Sequence, residues 1–215
     1  SYLAEEYLLT YVFRFDATTD PSSSSGWNDR GAHLYITNIS DEAGNTAWGV
    51  SNPVTYKRGG LTISGGFLEW WDQAYQRIRD LNVLIEELPE SGDDPDFIDS
   101  RVAEARFLRA FNYFALVKRY GGVPLITKAT AIDATEEELY PKRNSEQEIY
   151  DFIIDEMDDI EESVKSFTEY GRVSQGAVLA LKCRAALYAG SIAQFGATQL
   201  NGLLGIPQTQ ASDYY

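Results

Sequence analysis

The chain has 215 residues, 44% of them hydrophobic and 13% aromatic, enough to bury a core as one large domain or two small ones. Thirty-three acidic residues against eighteen basic ones give a formal charge of −15, a field that repels DNA, RNA and anionic lipid. No unbroken apolar run is long enough for a transmembrane helix, and a single cysteine excludes an internal disulfide and CxxC-type zinc sites.

The opening residues, Ser1 to Glu6, carry neither a basic n-region nor an apolar h-region, and no initiator methionine precedes them. Ser1 is therefore expected to lie downstream of the start of the gene product. Helical periodicity predicts a short first helix over residues 3–15. A long polar segment, residues 16–66, follows with weak helical periodicity and many Ser, Thr, Asn and Gly. It is too long to be a passive connection in a compact domain.

Apolar residues then recur at steps of three and four: Phe67, Trp70, Trp71, Ala74, Tyr75, Ile78, Leu81, Ile85 and Leu88. They predict an amphipathic helix ending at Pro89. Asp94-Pro95 supplies an N-cap and a first-turn proline for a second helix, which stops at Gly121-Gly122. This helix is apolar on nearly every side and should be central. Its Ala105, Ala110 and Ala115 allow close approach of neighbours, and Phe107, Phe111 and Phe114 fill the space between them. Arg106 and Arg109 are candidates to pair with Asp155, Glu156, Asp158 and Asp159, a cluster otherwise read as a solvated face.

After an inserted segment from Val123 to Asn144, Ser145-Glu146-Gln147-Glu148 forms a capping box that opens a third helix through Val164. A fourth begins near Ser174 and runs through Leu179, Leu181, Ala185, Leu187 and Tyr188, with Cys183 expected as a buried thiol. The pairs 67–120 and 145–195 repeat at an offset of 75 residues: Tyr75 matches Tyr150, Ile78 matches Ile153, and Ile85 matches Ile160. Arg109-Ala110 likewise matches Arg184-Ala185, and Tyr113 matches Tyr188. Stacked antiparallel hairpins of the tetratricopeptide type bury their faces in this way, so an all-α fold is expected. Ser212-Asp213-Tyr214-Tyr215 reads as the cap and first turn of a further helix, as if the chain stopped mid-repeat.

Four blocks, in order, resemble one known family. The longest runs from Arg101 to Leu125 and includes Glu104-Ala105-Arg106-Phe107-Leu108-Arg109-Ala110 and Tyr120-Gly121-Gly122-Val123-Pro124. The others are Trp70-Trp71 with Tyr75, Ile78 and Asn82; Tyr140-Pro141 with Arg143, Ile149 and Tyr150; and Gly171-Arg172-Val173-Ser174 leading to Ala180-Leu181-Lys182, Arg184-Ala185 and Leu187 to Gly190. Together they resemble the SusD/RagB family of nutrient-binding outer-membrane lipoproteins, and the chain looks like its N-terminal portion. The resemblance implies a lipid-anchored protein on the extracellular face of the outer membrane. Such a protein binds oligosaccharides without catalysis and delivers them to a SusC-like TonB-dependent transporter. The anchoring cysteine is expected upstream of Ser1, and part of the ligand site beyond Tyr215.

Sugars present an apolar C–H face and a ring of hydroxyls. Their sites need a flat aromatic ringed by paired hydrogen-bonding groups. Trp27 with Asn28, Asp29 and Arg30 offers such a set, and Trp48 with Asn52 offers a second. The competing reading is that both tryptophans pin the segment onto the helices. The resemblance favours binding, because the family places sugar contacts in this part of the chain. Trp70 and Trp71 sit at core spacing and are expected to pack.

Catalysis and cofactors find no support. His33 is the lone histidine, no nucleophile elbow occurs, and no carboxylate pair stands out among the abundant acids. The glycine pairs lack the Lys and Ser/Thr of a phosphate loop, and Asp93 to Asp96 lack EF-hand spacing. Two alternatives remain at this level: a peptide-binding, RagB-like uptake lipoprotein, and a helical-repeat adaptor that binds protein and no sugar.

Overall fold

The computed structural model describes Leu3 and residues 70–131, 133–164, 171–196 and 205–215. The expected segment 16–66, and the expected first helix apart from a helical, buried Leu3, lie outside the described residues.

Among the described residues the fold is all-α. Helix α1 (Trp71–Glu87) buries Ala74, Ile78 and Leu81, the middle of the predicted stripe, together with Asn82. A 3-10 turn, Leu88–Ser91, carries Pro89 in its first turn and ends at Gly92 with φ of 76°. Helix α2 (Pro95–Tyr120) starts where its cap dictates, with the Asp94 carboxylate accepting from the Asp96 and Phe97 N–H groups. It stops at Gly121, whose N–H donates to the Val117 carbonyl. A four-residue helix, α3 (Glu136–Leu139), interrupts the inserted segment. Helix α4 (Glu146–Ile160) opens on the Ser145–Glu148 capping box, and α5 (Gln175–Phe195) on Ser174.

The helices pack in sequence order: α1 on α2, α2 on α4, and α4 on α5. Helix α2 is the centre because its small residues allow it. Ala105, Ala110 and Ala115 are wholly buried. Phe114 then reaches both later helices, its ring edge-on to Tyr150 at 6.5 Å and to Tyr188 at 5.3 Å.

The repeat holds at two of its three aliphatic positions, Ile85 being half-buried where Ile160 is buried, and it diverges at its polar ones. Ile78 and Ile153 are both buried, as are Ala110 and Ala185. Arg109 is buried, whereas its counterpart Arg184 is exposed. Tyr113 is fully covered, whereas Tyr188 is 38% exposed.

Two expectations are corrected. Cys183 is exposed, because α5 turns Val178, Leu181, Ala185 and Ala189 inward and leaves Leu179, Cys183 and Leu187 on its outer face. Ser212 caps no helix; it lies inside a 3-10 segment, Gln208–Tyr214, that packs against α5. Gly190 makes room for that tail, since a Cβ there would sit 3.0 Å from the Tyr215 ring. The hydroxyls of Tyr214 and Tyr215 donate to Asp151 and Gln194.

Helix α5 is long and apolar enough that composition alone would allow a membrane crossing. Its inner face is covered by α4 and the tail, and Lys182 pairs with Asp158. It is an apolar packing helix of the array.

Candidate functional site

The polar side chains of α2 build the most connected arrangement among the described residues. Arg109 is buried, and its Nη1 donates to Asn82 Oδ1 at 2.7 Å and to the Thr127 carbonyl at 2.9 Å. Its Nη2 donates to Glu156 Oε2 at 2.8 Å. One guanidinium thus joins α1, α4 and the segment after α2. Arg106 holds the other oxygen of Glu156, at 2.6 Å, and Asp159 at 2.8 Å. The Arg106 pKa is raised although burial opposes the shift, because both carboxylates bond to the charged form. Of the acidic cluster, Glu156 is buried, while Asp155, Asp158 and Asp159 face solvent.

The segment after α2 has no strand or helix to satisfy its backbone, so side chains do so. Tyr75 donates to the Pro124 carbonyl at 2.7 Å. Asn82 Nδ2 donates to the carbonyls of Ile126 and Lys128, at 3.0 and 3.2 Å. The Tyr113 hydroxyl donates to Ile126 O at 3.0 Å and accepts from Ile126 N–H at 2.7 Å. Asn144 closes the far side, accepting from Leu125 N–H at 2.9 Å and donating its own N–H to Val123 O at 3.0 Å. Burial raises the pKa of Tyr75 and Tyr113, so both stay neutral donors.

Asn82 was legible as a polar residue on an otherwise apolar stripe, beside Ile78 and Leu81. Its partners were not legible, since Arg109 lies 27 positions away and the Ile126 and Lys128 carbonyls more than forty. Glu104 shows the same pattern. It is buried on α2 and takes a two-pronged grip from Arg172, with Nε and Nη2 at 3.1 and 2.7 Å.

Chemically, this arrangement holds and does not react. The buried carboxylates Glu104 and Glu156 are each neutralised by arginine, which suits them poorly to general acid or base work. Among the described residues no group of three or more His, Cys, Asp or Glu side chains could hold a metal. Trp71 packs against Tyr75 and Tyr120, with ring centroids 5.1 and 5.2 Å away, as its spacing predicted. The six residues expected to contact ligand, Trp27, Asn28, Asp29, Arg30, Trp48 and Asn52, lie outside the described residues.

A family profile described as starch-binding and associating with the outer membrane, of SusD-like type, matches residues 28–189. That span covers most of the chain and every described α-helix over residues 70–196 except the end of α5, and it stops short of the 3-10 segment Gln208–Tyr214. The chain belongs to the SusD-like family. Two curated SusD-like proteins of Formosa agariphila are each 32% identical to it, over 118 and 123 residues. These matches cover 55% and 57% of the chain but only 22% and 23% of those proteins. The SusD-like chain therefore spans about a quarter of the length of the relatives it matches.

Solved structures agree on the helical fold. A SusD-like protein from Bacteroides fragilis superposes with a TM-score of 0.55 at 28% identity, covering 87% of this chain and 33% of that one. A SusD superfamily protein from Parabacteroides distasonis gives 0.64 at 25% identity, covering 88% and 39%. A laminarin-binding SusD-like protein gives 0.55 at 24% identity, covering 94% and 42%. The SusD-like signature thus has a physical content here. Its Tyr75, Asn82, Arg106, Arg109, Tyr113 and Arg172 are the groups that lock three helices and one irregular segment together.

Proposed function

We propose that this chain is the N-terminal portion of a non-catalytic lipoprotein on the extracellular face of the outer membrane. It captures glucans there and passes them to a SusC-like TonB-dependent transporter. The observation that carries this reading is the family match over residues 28–189, a family described as starch-binding. A structural neighbour described as laminarin-binding supports the same sugar class. Starch and laminarin are both polymers of glucose, differing in linkage.

Within that reading, the residues assigned to the ligand are Trp27, Asn28, Asp29, Arg30, Trp48 and Asn52. The indole faces stack on sugar rings, and the Asn, Asp and Arg groups pair with hydroxyls. Five of the six fall inside the matched span, and Trp27 precedes it by one residue. The described helices form a packed array of their own, held by the Arg109 network.

The test is retardation of the complete protein in native gels containing starch, laminarin or other soluble polysaccharides. One glucan should retard the wild type, and Trp27→Ala or Trp48→Ala should abolish or weaken that retardation. Retardation of both variants equal to wild type would remove the site assignment. No retardation by any polysaccharide would overturn glycan capture.

A further inference from the structure

The inserted segment between the hairpins carries a feature that neither the Arg109 network nor the glycan reading absorbs. Leu139 is 53% exposed and Tyr140 is 77% exposed, side by side at the end of α3. Of the other exposed aromatics, Phe97, Tyr188 and Tyr215 have local uses, while Phe195, 73% exposed, has none among the described residues but lacks a capping-box turn beneath it. The Arg101 guanidinium lies over the Phe97 ring at 5.2 Å, and the Tyr215 hydroxyl bonds to Gln194. Tyr140 has no such use: among the described residues its side chain makes no hydrogen bond or ring contact.

The tip is nevertheless firmly built. The Thr135 N–H and hydroxyl donate to Glu138 Oε2 at 2.7 and 2.8 Å, a full capping box around a single helical turn. The N–H groups of Leu139 and Tyr140 donate back to Thr135 O and Glu136 O, both at 3.0 Å. Just beyond, Arg143 donates to the Tyr120 carbonyl at 3.0 Å and lies over the Trp71 ring at 5.5 Å. Asn144 fixes the return of the segment to Val123 and Leu125. An aromatic presented on a preorganised base loses little conformational freedom when it is covered, which is how interface anchors act. The rim gives the sign of the partner, since Glu136, Glu137 and Glu138 all face solvent beside the two apolar side chains.

We propose that the Leu139–Tyr140 tip is a docking contact that inserts into an apolar recess rimmed by Lys or Arg on the transporter. The identity of the partner rests on the proposed function; the geometry and charge of the contact rest on the residues above. An adjacent leucine and three clustered like charges fit a protein recess with basic groups better than a neutral sugar, whose hydroxyls can bond single carboxylates but cannot offset their summed charge.

The test uses the full-length lipoprotein co-purified with its tagged transporter. Three forms are compared: wild type, Leu139→Ser with Tyr140→Ser, and Glu136→Lys with Glu137→Lys. Glu138 is left intact because it caps α3. The apolar double variant should lower affinity for the transporter about tenfold or more. The charge variant should weaken association and reduce its salt dependence. Glucan retardation and the melting temperature should stay at wild-type values in both. Wild-type affinity in both variants would overturn the tip while leaving transporter delivery standing. Loss of glucan retardation with transporter affinity intact would overturn it in favour of a sugar platform. Failure of the wild type itself to associate would overturn both the tip and the delivery step.

Discussion

Arg109 on α2 and Glu156 on α4 meet with Nη2 2.8 Å from Oε2, their side chains only 5% and 8% exposed. Such a pair adds little net stability compared with well-packed apolar residues, but removing one partner leaves a buried charge uncompensated. Here the loss extends further, because Arg109 also holds Asn82 and the Thr127 carbonyl. Arg109→Met or Glu156→Leu alone should each cost about 3–5 kcal/mol in urea unfolding. In the double variant Arg106 keeps Asp159, so the two losses should add incompletely, with a coupling of about 0.5–3 kcal/mol. Strict additivity would show that the pair does not act as a unit.

Two fully buried tyrosines, one in each helix pair, offer a direct comparison. Tyr113 is fully covered, and its hydroxyl serves both the N–H and the carbonyl of Ile126. Tyr150 is fully covered too, yet among the described residues its hydroxyl has no hydrogen-bond partner. Tyr113→Phe orphans a buried N–H and should cost about 1–3 kcal/mol. Tyr150→Phe removes a group that already bears its desolvation cost, so it should be neutral or stabilising. Thermal unfolding of the two variants side by side gives the answer. Equal losses would mean that the Tyr150 hydroxyl is satisfied in solution.

What the sequence revealed followed the range of the forces involved. Both ends of α2 and the start of α4 were readable to the residue, because Asp94-Pro95, Gly121 and the Ser145–Glu148 box act within one turn, whereas α4 ends at Ile160 and not at Val164 because no stop signal marks its end. The Arg106 and Arg109 partners on α4 were readable as opposite charge facing opposite charge, though not which acid would be buried. The Thr135–Glu138 box was equally local and could have been found from Thr135-Glu136-Glu137-Glu138. The packing of residues 123–129 was not readable, since Tyr75, Asn82 and Tyr113 reach it from distant positions. Cys183 was misplaced because α5 is apolar on both faces, so periodicity could not tell inner from outer. The tail was misread because it packs against α5 at Gly190, a tertiary contact that local periodicity does not reveal. For the ligand, Trp27 and Trp48 remain a proposal from composition and family, because stacking faces carry no spacing rule.

The turn after α2 contains two glycines with different reasons to be glycine. Gly121 has φ of 68°, where a side chain is strained but the space is open apart from Glu146 at 3.5 Å. At Gly122 a Cβ would fall 2.1 Å from the Asn144 carbonyl oxygen, which is backbone and cannot swing away. Gly121→Ala should therefore cost about 1–3 kcal/mol, from conformation alone. Gly122→Ala should cost about 1–3 kcal/mol or more, because the segment must shift to relieve the clash. It should also expose the Val123–Asn144 hydrogen bond to exchange. Hydrogen exchange at the Asn144 amide separates the two, and unchanged protection in Gly122→Ala would refute the close approach.

The capping box of α4 makes a pH-dependent contribution with a defined sign. Glu148 accepts from the Ser145 N–H at 2.7 Å and from its hydroxyl at 2.8 Å, and these bonds hold its carboxyl below the usual glutamate pKa. A depressed folded-state value means the unfolded chain binds the proton more readily. The stabilisation is therefore present above the ordinary glutamate pKa of about 4.3 and is lost as pH falls through the lower folded value. Ser145→Ala should cost about 1 kcal/mol at neutral pH. Glu148→Gln keeps a side chain that can still reach the Ser145 N–H but cannot titrate. Its melting temperature should fall less steeply with acid than that of the wild type, with the two curves converging below pH 4. Parallel curves over that range would show that Glu148 is not the group whose protonation loosens the start of α4.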